Sequence, residues 1–256
     1  MSHRQHFYHW RVLAKVIGFV LFGLGGLLLG YVLFPLVSLL SPDRRLAKMR
    51  CRRLVQLSFR FFIGLLSKAG VLTFHISGAE ELDRRGNIVI ANHPTLIDIV
   101  FLISMIPNAT CIVKPSLFNN VFTRGPVSWA GYIPSNEADT LIADSEAQLA
   151  DNATLVIFPE GSRSVPNQPL KFKRGAAYLW LRTQCALSLV AITVDPPFLT
   201  KHEKWYQVPY RRPHFQLVVK EGGGATDAQT NAGTRSTDTR TLTRQWQDHF
   251  TTEIVI

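Results

Sequence analysis

The longest stretch of this 256-residue sequence without a charged side chain runs from Val16 to Pro42, 27 residues in all. A helix needs about 20 apolar residues to cross the hydrocarbon core of a bilayer, so this run is long enough. A signal peptide has a shorter apolar core, about 7–15 residues, and a small-residue cleavage site, which does not follow here. We therefore predict an N-terminal membrane helix. Five glycines and Pro35 permit a bend, so a re-entrant helical hairpin is the alternative to a straight helix.

Positive charge is concentrated beside this apolar run. Residues 1–72 hold eleven Lys and Arg against the single acid Asp43, whereas residues 73–256 hold seventeen of each sign, so the net charge of +10 belongs to the first part. Basic residues beside an apolar segment favour membrane lipids as partners, by about 1 kcal/mol each. Nucleic acid is the rival partner of a basic chain, and it is not predicted because no nucleic-acid-binding motif occurs.

More basic residues follow the apolar run than precede it. The positive-inside rule then predicts a membrane-bound protein with the rest of the chain on the cytoplasmic face, at the inner membrane if the organism is bacterial. The next segment has apolar residues at helical spacing between its arginines, typical of an amphipathic helix in the headgroup plane. A helix packed on the following domain is the alternative, and both are compatible. The spaced residues are Leu46, Met49, Leu54, Leu57, Phe61 and Leu65.

From Leu72 onward, apolar strands alternate with helical segments. This alternation predicts an α/β fold with a mostly parallel sheet flanked by helices. The predicted strands are Leu72–Ile76, Asn87–Ala91, Thr110–Val113, Thr154–Phe158, Leu187–Val194 and Phe215–Val219. The predicted helices are Thr95–Met105, Ala138–Leu149, Ala176–Arg182 and Leu242–Phe250.

The composition of residues 221–240, rich in Gly, Thr, Ala and Asp, is typical of a flexible linker. We predict three parts: membrane-anchoring helices with the basic amphipathic segment in residues 1–71, a catalytic α/β domain in 72–220, and a linker with a C-terminal helix in 221–256.

The sequence Asn92-His93-Pro94-Thr95-Leu96-Ile97-Asp98 directly follows a predicted strand. Pro94 suits the first turn of a helix, so His93 is expected at a helix N-terminus on the sheet edge, where α/β domains bind ligands. A histidine there can take the proton of an attacking hydroxyl, and Asp98 can orient its ring. A capping histidine with a solvated aspartate is the alternative for such a short spacing.

A second motif, Phe158-Pro159-Glu160-Gly161-Ser162-Arg163-Ser164, follows the buried strand before it. Arg163 with nearby backbone N–H groups suits a phosphate or a carboxylate, and Glu160 either pairs with Arg163 or holds a substrate hydroxyl. The sequence has no Gly-x-Ser-x-Gly elbow, no His-Glu-x-x-His and no Walker loop, so neither a serine hydrolase nor a metal site is predicted.

Together, the two motifs resemble the NHxxxxD and FPEGTRS blocks of the glycerolphosphate and lysophospholipid acyltransferase family, over about residues 72–220, with 67 residues from His93 to Glu160. The resemblance implies an α/β domain attached to the membrane by N-terminal helices. It also implies an O-acyltransferase in which His93 is the general base on the acceptor hydroxyl and Asp98 supports it. The residues that it implies for acceptor binding are Glu160, Gly161, Ser162 and Arg163.

Two further segments match lysine-containing blocks of the same family. Lys114 begins a Lys-x-x-Leu segment and Lys173 belongs to a Phe-Lys-x-Gly segment, and both either meet substrate phosphates or are surface charge. The resemblance implies no cofactor. The acyl donor is expected to be acyl-CoA or acyl-carrier protein. The expected acceptor is a lysophospholipid such as 1-acylglycerol-3-phosphate, in phospholipid biosynthesis.

Two positions depart from the family pattern. Glu137 stands where the family has an arginine that grips the acceptor phosphate, and a carboxylate repels a phosphate. A lyso-aminolipid or another non-phosphatidate amphiphile is therefore an alternative acceptor. The segment Leu189–Ile192 lacks the usual proline, which concerns only a strand. The rival from outside the enzymes is a non-catalytic membrane lipid-binding protein.

Overall fold

The computed structural model describes residues 3–166, 168–222 and 235–254. Its strands are β1 (Thr73–Ser77), β2 (Ile88–Ala91), β3 (Ala109–Val113), β4 (Ile133–Pro134), β5 (Thr154–Ile157), β6 (Leu187–Asp195) and β7 (His214–Glu221). Its α-helices are α1 (His3–Leu28), α2 (Phe34–Leu39), α3 (Arg44–Lys68), α4 (Asp98–Met105), α5 (Val121–Trp129), α6 (Ala138–Ala150), α7 (Gly175–Thr183) and α8 (Arg235–Ile254).

The first two helices form one continuous rod. A π-helical turn, Leu29–Leu33, joins α1 to α2. The following Pro35 has no N–H and its ring crowds the preceding turn, which the wider π-turn accommodates. By length and composition, Phe7–Leu39, with 33 residues, is the one helix of the described residues that is apolar enough to cross a membrane. Of the two alternatives, the structure has the uninterrupted helix and not the re-entrant hairpin.

The glycines of this rod permit close packing rather than a bend. A Cβ atom on Gly30 would lie 2.7 Å from Gly125 Cα, and one on Gly26 would lie 2.5 Å from Phe122 O. The rod therefore packs its small-residue face on α5. Its opposite face exposes large apolar side chains at helical spacing. These are Phe7, Trp10, Leu13, Ile17, Val20, Leu21, Leu24, Leu28, Tyr31, Val32 and Leu36.

Helix α3 packs on the α/β domain, as one of the two alternatives had it. Its buried apolar residues are Ala47, Cys51, Val55, Phe62, Ile63 and Leu66. Arg52 is buried with them and donates to Ala130 O at 2.8 Å and to Asn108 Oδ1 at 3.0 Å. Burial lowers the pKa of Arg52 to about 10. Of the six apolar residues noted at helical spacing in the sequence, Met49, Leu57 and Phe61 are exposed and the other three are half-buried.

Seven strands form a mixed sheet in the order β1-β7-β6-β2-β5-β3-β4, and only the β6–β7 pair is antiparallel. A hydrophobic core lies on each face of the sheet, and alternate residues of β2 pack into one or the other. Val89 and Ala91 face the layer of α3, α4 and α5, whereas Ile88 and Ile90 face α6, α7 and α8. The predicted α/β fold with a mostly parallel, helix-flanked sheet is confirmed. The sequence did not predict β4 or α5.

The predicted linker is shorter than expected at both ends. Glu221 still belongs to β7, and residues 235–240 already belong to α8, which extends the predicted closing helix. Residues 223–234 lie outside the described part of the chain. The predicted boundary at 71/72 falls in the connection between α3 and β1.

Candidate active site

The candidate catalytic turn, residues 92–98, leaves the central strand β2 and leads into α4. Asn92 fixes its beginning, because its buried side chain accepts from Ile192 N–H at 2.7 Å and donates to Ile192 O at 2.8 Å. The side chain thereby continues the β2–β6 ladder, whose last backbone pair is Ala91 with Val190. The turn is thus attached to the sheet before the histidine is reached.

His93 and Asp98 form a hydrogen-bonded pair at this sheet edge. Nδ1 of His93 lies 2.9 Å from Asp98 Oδ2, with the carboxylate fully buried and the histidine side chain 18% exposed. A buried carboxylate is an acceptor, so the ring proton belongs on Nδ1. The ring also stacks on Phe158 with a centroid distance of 4.1 Å. Nε2 is then the ring nitrogen left to meet a substrate.

Thr95 completes the environment of the carboxylate. Its N–H donates to Asp98 Oδ2 at 2.6 Å, and its hydroxyl donates to Asp98 Oδ1. Helix α4 begins at Asp98, not at Thr95 as predicted, because residues 95–97 form a turn closed by this side chain. Pro94 accordingly precedes the helix by four residues.

Burial dominates the electrostatics of Asp98. It raises the pKa of the carboxyl, while the hydrogen bonds from His93 and Thr95 act in the opposite direction. The position of Asp98 in the first turn of α4 also favours the charged form, since helix N-termini carry partial positive charge. These contacts hold a carboxylate that can orient an imidazole ring.

The bracing loop, residues 158–164, clamps the backbone of the catalytic turn. Glu160 Oε1 accepts the His93 N–H at 2.9 Å and the Ser164 hydroxyl at 2.9 Å. The Ser164 N–H in turn donates to His93 O at 2.7 Å. Burial raises the pKa of Glu160, against which its hydrogen bonds act. Both backbone groups of His93 are therefore held by this loop.

Arg163 points toward the connection between β6 and β7. Its Nη1 donates to Leu199 O at 3.1 Å and to Thr200 O at 2.9 Å. The Leu199 carbonyl also accepts the Leu96 N–H at 3.0 Å. Glu160 and Arg163 thus each bond to other partners, and the ion pair between them that the sequence allowed is not formed.

The other predicted site residues lie around these two segments. Gly161 has a positive φ of 69°, and a Cβ there would lie 2.8 Å from Lys173 Nζ, so Lys173 lies against the bracing loop. Ser162 is half-buried in the same loop. Lys114 is exposed just after β3, and Glu137 is exposed at the start of α6. No observed bond joins either residue to the His93–Asp98 pair.

Among the described residues, His, Cys, Asp and Glu side chains form no group of three able to hold a metal ion.

Three residues of the site had no role in the sequence-based prediction. Thr95 contacts the Asp98 carboxylate directly. A threonine three residues before an acid is the capping-box pattern, which predicts a hydrogen bond between the two residues. Phe158 and Ser164 lie inside the second motif, but their targets, the ring and the backbone of His93, are 65 or more residues away. No spacing rule predicts a contact of that kind.

Comparisons with known proteins find similar acyltransferases. A family model described as Acyltransferase matches residues 73–195. Human 1-acyl-sn-glycerol-3-phosphate acyltransferase beta is 25% identical over 160 residues, which cover 58% of this chain and 54% of that protein. The 1-acyl-sn-glycerol-3-phosphate acyltransferase of Cocos nucifera is 28% identical over 125 residues, 46% of this chain and 40% of that protein. This chain thus spans about half the length of these relatives.

A solved structure resembles nearly the whole chain. The crystal structure of the 1-acyl-sn-glycerophosphate acyltransferase from Thermotoga maritima superposes with a TM-score of 0.67, covering 96% of this chain and 97% of that one. The two sequences are 18% identical, so the likeness concerns the fold.

Proposed function

We propose that this chain is a membrane-bound O-acyltransferase that moves a fatty acyl group from a thioester to a lipid hydroxyl, in keeping with the match of residues 73–195 to the Acyltransferase family model. The observation that carries the proposal is the His93–Asp98 hydrogen bond of 2.9 Å, at a sheet edge and with Nε2 left to meet a substrate. The match of residues 73–195 to the Acyltransferase family model supports the choice of acyl transfer among the reactions that such a pair can serve.

In the proposed mechanism, His93 acts as a general base, and no acyl-enzyme intermediate forms. Nε2 takes the proton of the acceptor hydroxyl as its oxygen attacks the thioester carbonyl. The tetrahedral intermediate expels the thiolate, which takes the proton back from His93. Asp98 holds the Nδ1–H tautomer and stabilises the imidazolium that forms between these steps. The acyl ester and the free thiol are the products.

The bracing loop and the two lysines have different proposed roles. Glu160 and Arg163 position the catalytic turn through the bonds described above, in addition to the acceptor contact that the family resemblance implies. Gly161 and Ser162 of the bracing loop, with Lys173 lying against Gly161, are the proposed headgroup contacts. Lys114 is proposed to meet substrate phosphate from the end of β3. The co-substrate is acyl-CoA or acyl-carrier protein, and no cofactor is required.

The N-terminal helices supply the proposed membrane attachment. The exposed apolar stripe of the rod formed by α1 and α2 is the kind of large apolar surface that marks membrane contact. The basic excess after this rod supports placing the α/β domain on the cytoplasmic face.

Replacing His93 by alanine tests the activity. Purified full-length protein in lipid vesicles is given a labelled acyl thioester and 1-acylglycerol-3-phosphate, and labelled diacyl product is measured. We expect His93→Ala to lose about 100- to 10,000-fold in rate, the usual contribution of a general base. The matched control is His75→Ala, an exposed histidine on β1. Equal rates for His93→Ala and the wild type would rule the mechanism out.

A second acceptor class is supported by Glu137. Its exposed carboxylate, at the start of α6, suits an ammonium group better than a phosphate. Under this alternative the acceptor is a lyso-aminolipid. A panel of lysolipids compared between the wild type and Glu137→Arg separates the two: a shift of preference toward lysophosphatidate in the variant supports the aminolipid, and unchanged strong activity on lysophosphatidate supports the phosphatidate reaction.

A further inference from the structure

The connection between β6 and β7 is far longer than these strands require. The two strands are antiparallel neighbours, and their last pair is Asp195 with His214. Hairpins of this kind are usually closed by two to five residues. Eighteen residues, 196–213, lie between them here. A connection longer than about 12–15 residues in a compact domain commonly has a function of its own.

This β6–β7 loop is attached to the first helix. Lys15, whose side chain is fully buried, donates from Nζ to Gln207 O at 2.6 Å and lies 4.2 Å from the centre of the Phe198 ring. Tyr210 stacks on Tyr8 with ring centroids 5.0 Å apart. The loop therefore lies along the N-terminal half of α1, beside its exposed apolar stripe.

The same loop is attached to the catalytic turn. Leu199 O accepts from Leu96 of the turn, and Leu199 and Thr200 both accept from Arg163 of the bracing loop. Phe198 is fully buried just before them. A displacement of the loop would thus be transmitted directly to the segment that carries His93.

The tip of the loop exposes aromatic and basic side chains together. Trp205 is 47%, Tyr206 44% and Tyr210 86% exposed. Residues 196–213 contain four Lys and Arg and one acid, Glu203. Exposed Trp and Tyr are typical of the membrane–water interface, and basic residues are attracted to anionic headgroups.

We propose that the tip of this loop, residues 201–212, is a second lipid-contacting element, which lies in the headgroup region of an anionic bilayer and sets the depth of the catalytic turn. The inference rests on the proposed membrane attachment of the first helix. The loop tip adjoins the surface of α1 that is proposed to contact the membrane, since Trp205 packs against Phe19 of α1 at a centroid distance of 6.0 Å. This continuity favours a bilayer over an acidic carrier protein as the partner of the tip. Leu96, 41% exposed, then faces the same interface from the catalytic turn.

A fluorescent label at the tip tests the proposal. An environment-sensitive dye is attached to Tyr210→Cys in a full-length Cys185→Ser background, in which the two remaining cysteines are buried. The protein is reconstituted in 3:1 phosphatidylethanolamine–phosphatidylglycerol vesicles with brominated acyl chains as quenchers. Leu28→Cys reports on the first helix, and Ala143→Cys on the exposed face of α6 is the control.

We expect blue-shifted emission and lipid quenching at positions 210 and 28, and neither at 143. Quenching at 28 with a water-like signal at 210 overturns the loop proposal but leaves membrane attachment standing. A water-like signal at both positions overturns both. Protection of position 210 by an acidic carrier protein, without lipid quenching, assigns the tip to that protein instead and overturns the lipid assignment.

A charge variant provides the second measurement. In Lys201→Gln/Lys204→Gln, the ratio of lipid-embedded to water-exposed label at 210 is expected to fall about fivefold for each charge removed. The matched control removes two exposed cations of α8, Arg240→Gln/Arg244→Gln, and leaves the ratio unchanged. Equal ratios in the two double variants would contradict an electrostatic contact with the headgroups.

Discussion

The catalytic turn and the bracing loop both follow buried parallel strands and meet at one sheet edge, yet they are held in different ways. Asp98 receives its hydrogen bonds from residues three and five positions away along the chain. Glu160 bonds a backbone amide 67 residues away, and Arg163 bonds carbonyls 36 and 37 residues away. The His93–Asp98 pair is therefore formed by local contacts, whereas its position depends on long-range contacts. Substitutions in the turn should therefore affect the chemical step, whereas substitutions in the bracing loop should affect the position of the turn and the stability of the fold.

The largest effect is expected in the turn, from Asp98→Asn. The amide keeps the size of the side chain but loses the charge, and its NH2 group favours the opposite imidazole tautomer. We expect the rate of acyl transfer, kcat, to fall about a thousandfold, with less change in KM. The measurement is a kcat and KM comparison on vesicles. The turn would not be the catalytic element if Asp98→Asn kept a near-normal kcat.

In the bracing loop, the contrast between Glu160→Ala and Glu160→Gln gives the next largest effect. Glutamine retains the oxygen that accepts from His93 and Ser164, whereas alanine leaves both donors without it. A misplacement of about 1 Å costs up to about 100-fold in rate, so we expect Ala to lose about 10- to 100-fold and Gln only a few-fold.

Circular dichroism checks that both Glu160 variants fold. If Gln loses as much activity as Ala while both remain folded, the charge of Glu160 acts on the substrate, and bracing is not its main role.

Replacement of Arg163 by methionine should act mainly on stability. The variant loses hydrogen bonds to Leu199 O and Thr200 O from a half-buried guanidinium, worth about 1–2 kcal/mol in total after allowance for exposure. For a chain of this size that corresponds to a fall in Tm of roughly 2–8 °C in detergent. A selective rise in KM for the acceptor with an unchanged Tm would instead assign Arg163 to substrate binding.

The smallest effect is a pH dependence of stability. Burial raises the pKa of Glu160, so the folded state binds its proton more tightly than the unfolded state. This contribution favours the folded state at low pH and is lost as pH rises from the ordinary glutamate range through the raised pKa. The Tm of Glu160→Gln minus that of the wild type should therefore increase with pH above about 4. A pH-independent difference would show that Glu160 titrates normally.

The parts of the fold that the sequence predicts are those with strong local patterns. β2, β5 and β6 consist mainly of buried apolar residues, and their bounds are correct to within one residue. β4 is two residues long and includes Pro134, so it has no readable pattern. α5 contains Gly125 and Pro126, which argue against a helix, but both lie at the close contact with Gly30. Tertiary packing decides such elements.

The contacts of the site also fall into two groups, local ones that the sequence predicts and long-range ones that it does not. The spacing of His93 and Asp98 predicts their pairing, because five residues of turn keep them within reach. The distant partners of Glu160 and Arg163 are backbone groups, which every residue has, so no residue type marks them in the sequence. The direction of these two side chains follows only from the folded sheet, which brings the ends of β2, β5 and β6 together.

The tautomer of His93 tests the central claim most directly. The pair acts as a general base only if the neutral ring carries its proton on Nδ1, bonded to Asp98, and leaves Nε2 unprotonated. The ¹⁵N shifts of the imidazole, assigned by comparison with His93→Ala in protein labelled at histidine, distinguish the two nitrogens. We predict a protonated Nδ1 and an unprotonated Nε2 in the neutral form, and the opposite tautomer in Asp98→Asn. A wild-type ring protonated on Nε2 would contradict the mechanism.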